Sequence, residues 1–232
     1  MVLPLYLAMT AQEMVSAESL PPHIAYMACH FSPSGQGLSN LPRTALPGQM
    51  LILDDQFPFQ DHSASIIAGQ LLKILNDGHF ESLLLDFQRP DTPETAQLAK
   101  FLEDTLPCPV AVSHLYAANC RGPVFLPPAA PDVPLEDCLS PWKNREIWLE
   151  ASMDSLCLTV TAQGCSAESL WEDSSEDPGL PCPGLHCHCR TEIREDRAVF
   201  LLRRTPEDFQ ALLEEADRLG IRRAIGLWQE LC

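Results

Sequence analysis

Short apolar runs recur along this chain at residues 5–9, 25–31, 50–54, 82–87, 109–113, 124–126, 146–150 and 224–228, and most of them end on a polar side chain or run directly into one. Runs of this length, bounded by turn residues, read as strands buried on both faces, as in a parallel sheet. Between some of them the spacing changes to threes and fours. Residues 62–77 repeat Ile66, Ile67, Leu71, Ile74 and Leu75, with Asp61 or Ser63 as the cap and Gly78 as the stop. Residues 93–106 follow Thr92, place Pro93 in the first helical position and end before Pro107. Residues 206–219 open in the same way on Thr205 and Pro206, carry Phe209, Leu212, Leu213, Ala216 and Leu219 on one stripe, and close on Gly220. Three helices are therefore expected.

Strand and helix alternate through the middle of the chain, which requires right-handed crossovers and a parallel sheet. Eight strands are the number that a closed barrel needs. The intervals between the fifth, sixth and seventh runs are too short for full helices, and Pro-rich stretches such as 123–134 fill them. The expected fold class is α/β, an irregular (β/α)8 TIM-like barrel with missing outer helices; a doubly wound open sheet is the alternative. After the seventh run the pattern changes. Segments 156–161, 186–193 and 197–204 read as antiparallel strands, the last two joined by a turn at Arg194-Glu195-Asp196. Segment 165–184, rich in Ser, Glu, Asp, Pro and Gly, reads as a mobile loop. A single domain over 1–232 is expected, with 152–204 as a small antiparallel β insertion after strand 7 that contains this acidic loop.

Composition narrows the function classes. Fifteen Lys and Arg stand against 32 Asp and Glu, a formal net charge of −17. Nucleic acid and anionic lipid both need clustered cations, so neither is an expected partner. The apolar start, Met1 to Met9, carries no Lys or Arg and is too short to span a bilayer, so it reads as the first strand. A cytoplasmic protein is expected. The ten cysteines contain no Cys-x-x-Cys pair, and Cys29, Cys108 and Cys157 lie within or beside apolar segments. Reduced thiols behaving as small hydrophobes account for them. No glycine-rich phosphate loop is present, and no cofactor is expected.

The most informative stretch is Phe80-Glu81-Ser82-Leu83-Leu84-Leu85-Asp86-Phe87-Gln88. Strand ends of this kind are where ligands bind in α/β proteins, and Asp86 and Gln88, two apart, point to the same side. With the fourth strand ending Leu-Asp-Phe-Gln, the chain resembles the family 18 glycoside hydrolases, the chitinase-like barrels. These carry Asp-x-x-Asp-x-Asp-x-Glu on strand four, often insert a small β-rich unit after strand seven, and place a Trp on strand eight. Here Glu81 stands at the first Asp, Leu84 at the middle Asp, Asp86 matches the last Asp, and Gln88 replaces the catalytic Glu; Trp228 lies on the expected eighth strand. The resemblance implies that Asp86 orients an acetamido group, that Trp228 offers a platform for a sugar face, and that a saccharide is the ligand. Gln88 has no titratable proton and cannot act as the acid, although it can hydrogen-bond a sugar. The chain thus reads as a glycoside-hydrolase-like barrel that is catalytically impaired and at most saccharide-binding. Two alternatives stand beside this. One is an active glycosidase on N-acetylglucosamine-containing glycans using Glu150 or Asp55 as acid; the other is a structural or partner-binding domain.

In such a barrel the strand-end polar residues collect at one mouth: Thr10, His30, Asp54, Asp55, Asp86, Gln88, Ser113, Glu150, Gln229 and Glu230. Asp86, Gln88 and Glu150 are the candidate catalytic positions; Asp54, Asp55, Tyr116, Trp228, Gln229 and Glu230 are the candidate substrate contacts. Asp54, Asp86 and Glu150 could also hold a hard divalent cation through oxygen. Cys182, Cys187 and Cys189 with His186 and His188 suggest zinc. Strand alternation, however, puts Cys187 and Cys189 on one face and both imidazoles on the other, short of the four ligands a structural site needs. No metal is expected.

Overall fold

The computed structural model describes residues 3–43, 48–60, 63–90, 92–170 and 177–232. Eight parallel strands close on themselves: β1 (Leu5–Met9), β2 (Ile24–Phe31), β4 (Met50–Asp54), β5 (Ser82–Asp86), β6 (Val110–Ser113), β7 (Val124–Leu126), β8 (Ile147–Glu150) and β14 (Arg223–Leu227). A two-residue strand, β3 (Leu38–Ser39), adds antiparallel to β2. Closure is carried by β1, which pairs with β14 (Leu5 opposite Ala224, Ala8 opposite Leu227) and with β2 (Leu7 opposite Ile24). An open doubly wound sheet has no such pair. The barrel is therefore the correct alternative.

Strand alternation divides the apolar residues into two cores. Outward-facing Leu51, Leu53, Leu83, Leu85, Val110, Val112 and Leu149 pack against helices. These are α2 (Ala64–Asn76), through Ile67, Leu71 and Ile74; α3 (Pro93–Thr105), through Leu98 and Leu102; and α5 (Pro206–Arg218), through Phe209, Leu212 and Leu213. Inward-facing Tyr6, Ala8, Ala25, Met50, Ile52, Leu84, Ala111, Phe125, Trp148 and Ile225 form a separate cluster that fills the barrel. Small and large side chains share the interior, so three alanines leave room for the fully buried Trp148. Arg223 enters this interior from β14, with its guanidinium 4.4 Å from the Trp148 ring centroid and 5.3 Å from that of Tyr6, and donates to the Ser82 hydroxyl at 2.5 Å.

The helix caps follow the sequence. Thr92 accepts from the Thr95 N–H, and Thr205 forms a capping box with Asp208. Gly220, at φ +85°, ends α5 while the Ile221 N–H returns to the Ala216 carbonyl. Ser63 precedes α2 without capping it; Asp61 lies outside the described residues. Other crossovers are reduced to α1 (Ala11–Ser16), a 3-10 turn at His114–Asn119, and α4 (Leu135–Leu139) followed by a turn at Ser140–Trp142. These are the missing outer helices expected from the short intervals.

The insertion is a five-stranded antiparallel sheet ordered β10-β9-β13-β12-β11, from β9 (Ser155–Thr161), β10 (Gly164–Leu170), β11 (Leu180–Cys182), β12 (Cys187–Ile193) and β13 (Arg197–Arg203). The loop expected at 165–184 is corrected on both sides of residues 171–176, which lie outside the described residues. Residues 165–170 pair with β9 in full register, and 180–182 pair with β12. Backbone pairing overrides a composition that is poor in β-formers. Leu156, Cys187 and Leu202 form the buried heart of this unit. It docks on the loop after β7, where the Cys187 thiol meets the Pro131 carbonyl at 3.5 Å and buried Arg204 donates to the Ala129 carbonyl at 2.7 Å.

Candidate functional site

Three of the candidate carboxylates reach one place. Asp54 ends β4, Asp86 ends β5 directly opposite it in register, and Glu150 ends β8 across the barrel. They rim a cavity of about 80 Å³ floored by Ala8, Met27, Ile52, Leu84, Phe125, Ile225, Gly226 and Leu227. Apolar walls deprive these charges of water. Burial pushes the Glu150 carboxyl up to about 7, with the negative charges of Asp86, Glu230 and Asp154 acting in the same direction. Asp86 is raised chiefly by burial, with the Gln88 bond pulling it back and Asp54 and Asp55 pushing it up. Burial also raises Asp54, against the bond it accepts from the Gln56 N–H at 2.9 Å. Glu230 is raised by burial and then by Asp154. Among the described residues no group of three His, Cys, Asp or Glu side chains is placed to hold a metal.

Gln88 is exposed just past β5, and its side-chain amide donates to the Asp86 carboxylate. Asp55 is turned the other way. Being adjacent to Asp54 on an extended chain it faces outward, is buried, and accepts the N–H groups of Gln88 and Arg89 at 3.0 Å each. It thereby fixes the loop that carries Gln88 rather than meeting the mouth. Tyr116 is likewise corrected from a substrate contact to a support. It is fully buried, lies edge-on to Phe87, and donates to the Arg89 carbonyl at 3.1 Å. Trp228 is corrected by one residue: β14 ends at Leu227, whose side chain lines the cavity, and half-buried Trp228 opens the one-turn helix α6 (Trp228–Leu231). Phe125 is the aromatic side chain lining the cavity. Gln229 donates to Glu13 at 2.6 Å, and Glu13 and Thr10 form the capping box of α1. His30 sits opposite Asp54 with its ring 5.6 Å from Phe57, and Ser113 is buried. Asp154 was missed because it follows β8 in a segment with no pattern of its own.

A second, wider depression of about 560 Å³ opens on the outer side of the β4 and β5 ends, among Phe57, Phe59, Gln60, Arg89, Thr92 and Glu94. Asp55 faces this depression, whereas Asp54 faces the mouth.

A closed eight-stranded barrel with an acidic mouth and a β-rich unit after its seventh strand places the chain in the TIM-like class. No family model and no curated protein matches the sequence. Solved structures do match. The putative sporulation-specific glycosylase ydhD from Bacillus subtilis aligns with a TM-score of 0.57 at 8% identity, covering 87% of this chain and 90% of that one. A Glu-to-Gln variant of class V chitinase from Nicotiana tobaccum, in complex with NAG4, aligns with a TM-score of 0.56 at 10% identity over 98% of this chain and 94% of that one. The spore cortex-lytic enzyme SleL from Bacillus cereus gives 0.55 at 10% identity over 97% and 70%. The fold is that of the family 18 glycosidase-like barrels.

Proposed function

We propose that this chain binds N-acetylated saccharides at the barrel mouth without cleaving them. The carrying observation is Gln88, an amide held on Asp86 at the strand end where an acid is required. The cavity below is well under the ~300 Å³ at which ligand pockets begin, so it admits a small substituent such as an acetamido group, with the sugar ring resting above. Apolar Met27, Phe125 and Leu227 suit the methyl, and a carboxylate on the rim accepts the amide N–H. The Nicotiana tobaccum variant solved with NAG4 supports a glutamine-bearing barrel that still holds sugar.

Calorimetry with N-acetylglucosamine oligomers is expected to show binding by the wild type, with no product on prolonged incubation. Gln88→Glu is expected to release chromophore from an N-acetylglucosaminide at least about a hundredfold faster than wild type, the low end of what a placed general acid supplies. Absence of binding would overturn the saccharide reading. Binding with no gain of hydrolysis in a folded Gln88→Glu protein would overturn a latent catalytic geometry. A second reading, favoured by a Glu150 carboxyl that holds its proton near neutrality, makes Glu150 the acid; hydrolysis by the wild type that Glu150→Gln abolishes would select it.

A further inference from the structure

The β-rich unit holds a pair of thiols that the mouth does not use. In the pairing of β11 with β12, Cys182 stands directly opposite Cys187. Directly opposed residues of an antiparallel pair have Cα atoms within the ~4.4–6.8 Å that a disulfide spans. Their Cβ atoms, ~4.5–5.5 Å apart, have to draw together by about 1 Å to reach disulfide range, a shift that a short edge strand can make. The remaining cysteines lack such a partner. Cys189 faces Leu180, Cys165 faces Val160 and Cys157 faces both Glu168 and Leu201. Cys187 and Cys189 are two apart on one strand, which holds their Cα atoms near the ~6.6 Å repeat and their side chains parallel.

The two thiols differ in access. Cys187 is fully buried, and its S–H is spent on the Pro131 carbonyl, whereas Cys182 is half-buried near the end of β11. All ten cysteines are free thiols in this structure.

We propose that Cys182 and Cys187 are a modification site, a cross-strand dithiol that small disulfides such as oxidised glutathione convert reversibly to an intramolecular disulfide. Cys182 is the entry point. Its thiolate attacks one sulfur of oxidised glutathione, breaks that S–S bond and releases one glutathione thiolate. Cys187, whose thiol burial pushes up to about 12, then attacks the Cys182 sulfur of the mixed disulfide and passes its proton to the departing glutathione sulfur. The second glutathione leaves as the thiol, and this second step is the slow one. Two protein thiols are oxidised and one glutathione disulfide is reduced. The new bond pins β11, a three-residue edge strand, to β12. It also takes away the S–H donor that Cys187 offers to the loop after β7. The loop closed by the bond holds only four intervening residues, so little unfolded-state entropy is removed and thiol count, not melting temperature, is the sensitive readout.

The test equilibrates the full chain, first reduced, in glutathione buffers of increasing oxidised fraction, blocks remaining thiols with a maleimide, and counts them by intact mass. With Cys165 and Cys232 replaced by Ser, eight blocked thiols are expected under reducing conditions and six after oxidation, with no increase in chain mass from bound glutathione at the pair. Cys182→Ser and Cys187→Ser should abolish the loss, and Cys189→Ser should leave it intact. Exposed Cys165 and Cys232 are replaced by Ser throughout to remove cross-chain bonds. Retention of the loss in Cys182→Ser, its disappearance in Cys189→Ser, or stable glutathione adducts without ring closure would each overturn the proposal. The Cys182 and Cys189 variants decide it even where replacing buried Cys187 impairs folding.

Discussion

Glu150→Gln is expected to raise the melting temperature at pH 8 and to change it little at pH 5. In the folded protein, burial and the charges of Asp86, Glu230 and Asp154 hold the Glu150 proton up to about pH 7. In the unfolded chain that proton leaves at the ordinary carboxylate value of about 4.5. Across this window the folded state binds the extra proton, so stability falls as pH rises, and above pH 7 the whole penalty of an ionised carboxylate in an apolar, acidic mouth is present. An amide never incurs it. With allowance for the part of the side chain that water reaches, the gain at pH 8 is on the order of 2 kcal/mol, or roughly 5 °C for a chain of this size. Thermal melts at the two pH values decide the matter. An equal effect at both, or a loss at pH 8, would refute the raised proton affinity.

Trp148→Ala is expected to cost about 3–5 kcal/mol, the range for removing a large aromatic from a packed interior. Trp148 is fully buried in the inner cluster and carries the Arg223 guanidinium on its face. Its neighbours in that cluster are themselves carried by the strands of the closed barrel, so filling the gap requires the wall to move inward. The variant also leaves Arg223 with a poorer seat in the barrel interior. Urea unfolding should show the midpoint drop with the slope unchanged. A loss below 1 kcal/mol would mean that the barrel interior is not closed around this ring.

The barrel strands were readable because both of their faces are apolar. Leu83 and Leu85 meet helices while Leu84 meets the interior, so the sequence shows an unbroken run. Thr-Pro starts marked α3 and α5 for a local reason, a cap followed by a residue already set in helical φ. The mouth was legible as a set of polar residues at strand ends, among them Asp54, Asp86 and Glu150, whose shared placement follows from where each strand stops. Asp55 and Tyr116 were placed there by proximity in sequence, yet register turns Asp55 outward and a 3-10 turn buries Tyr116. The misplacement of Trp228 has the same origin, because the strand stops one residue earlier and alternation stops with it. β10 escaped notice because Gly-Cys-Ser-Ala-Glu-Ser-Leu has no apolar rhythm; its partner β9 supplies the order.

β10 also bears on the protein as a colloid. One side of the strand pairs with β9, and among the described residues the other side pairs with nothing. Six of its seven residues are exposed, and Glu168 is its one charged side chain. Such an open edge is a template for growth of the sheet from copy to copy. What opposes that growth is the −17 charge each copy carries, a repulsion whose reach shrinks from about 10 Å in 0.1 M salt to about 3 Å in 1 M. Dispersal of the protein is thus a property of its whole surface rather than of the exposed strand, and it weakens in strong brine or in acid near the isoelectric point of about 4.6.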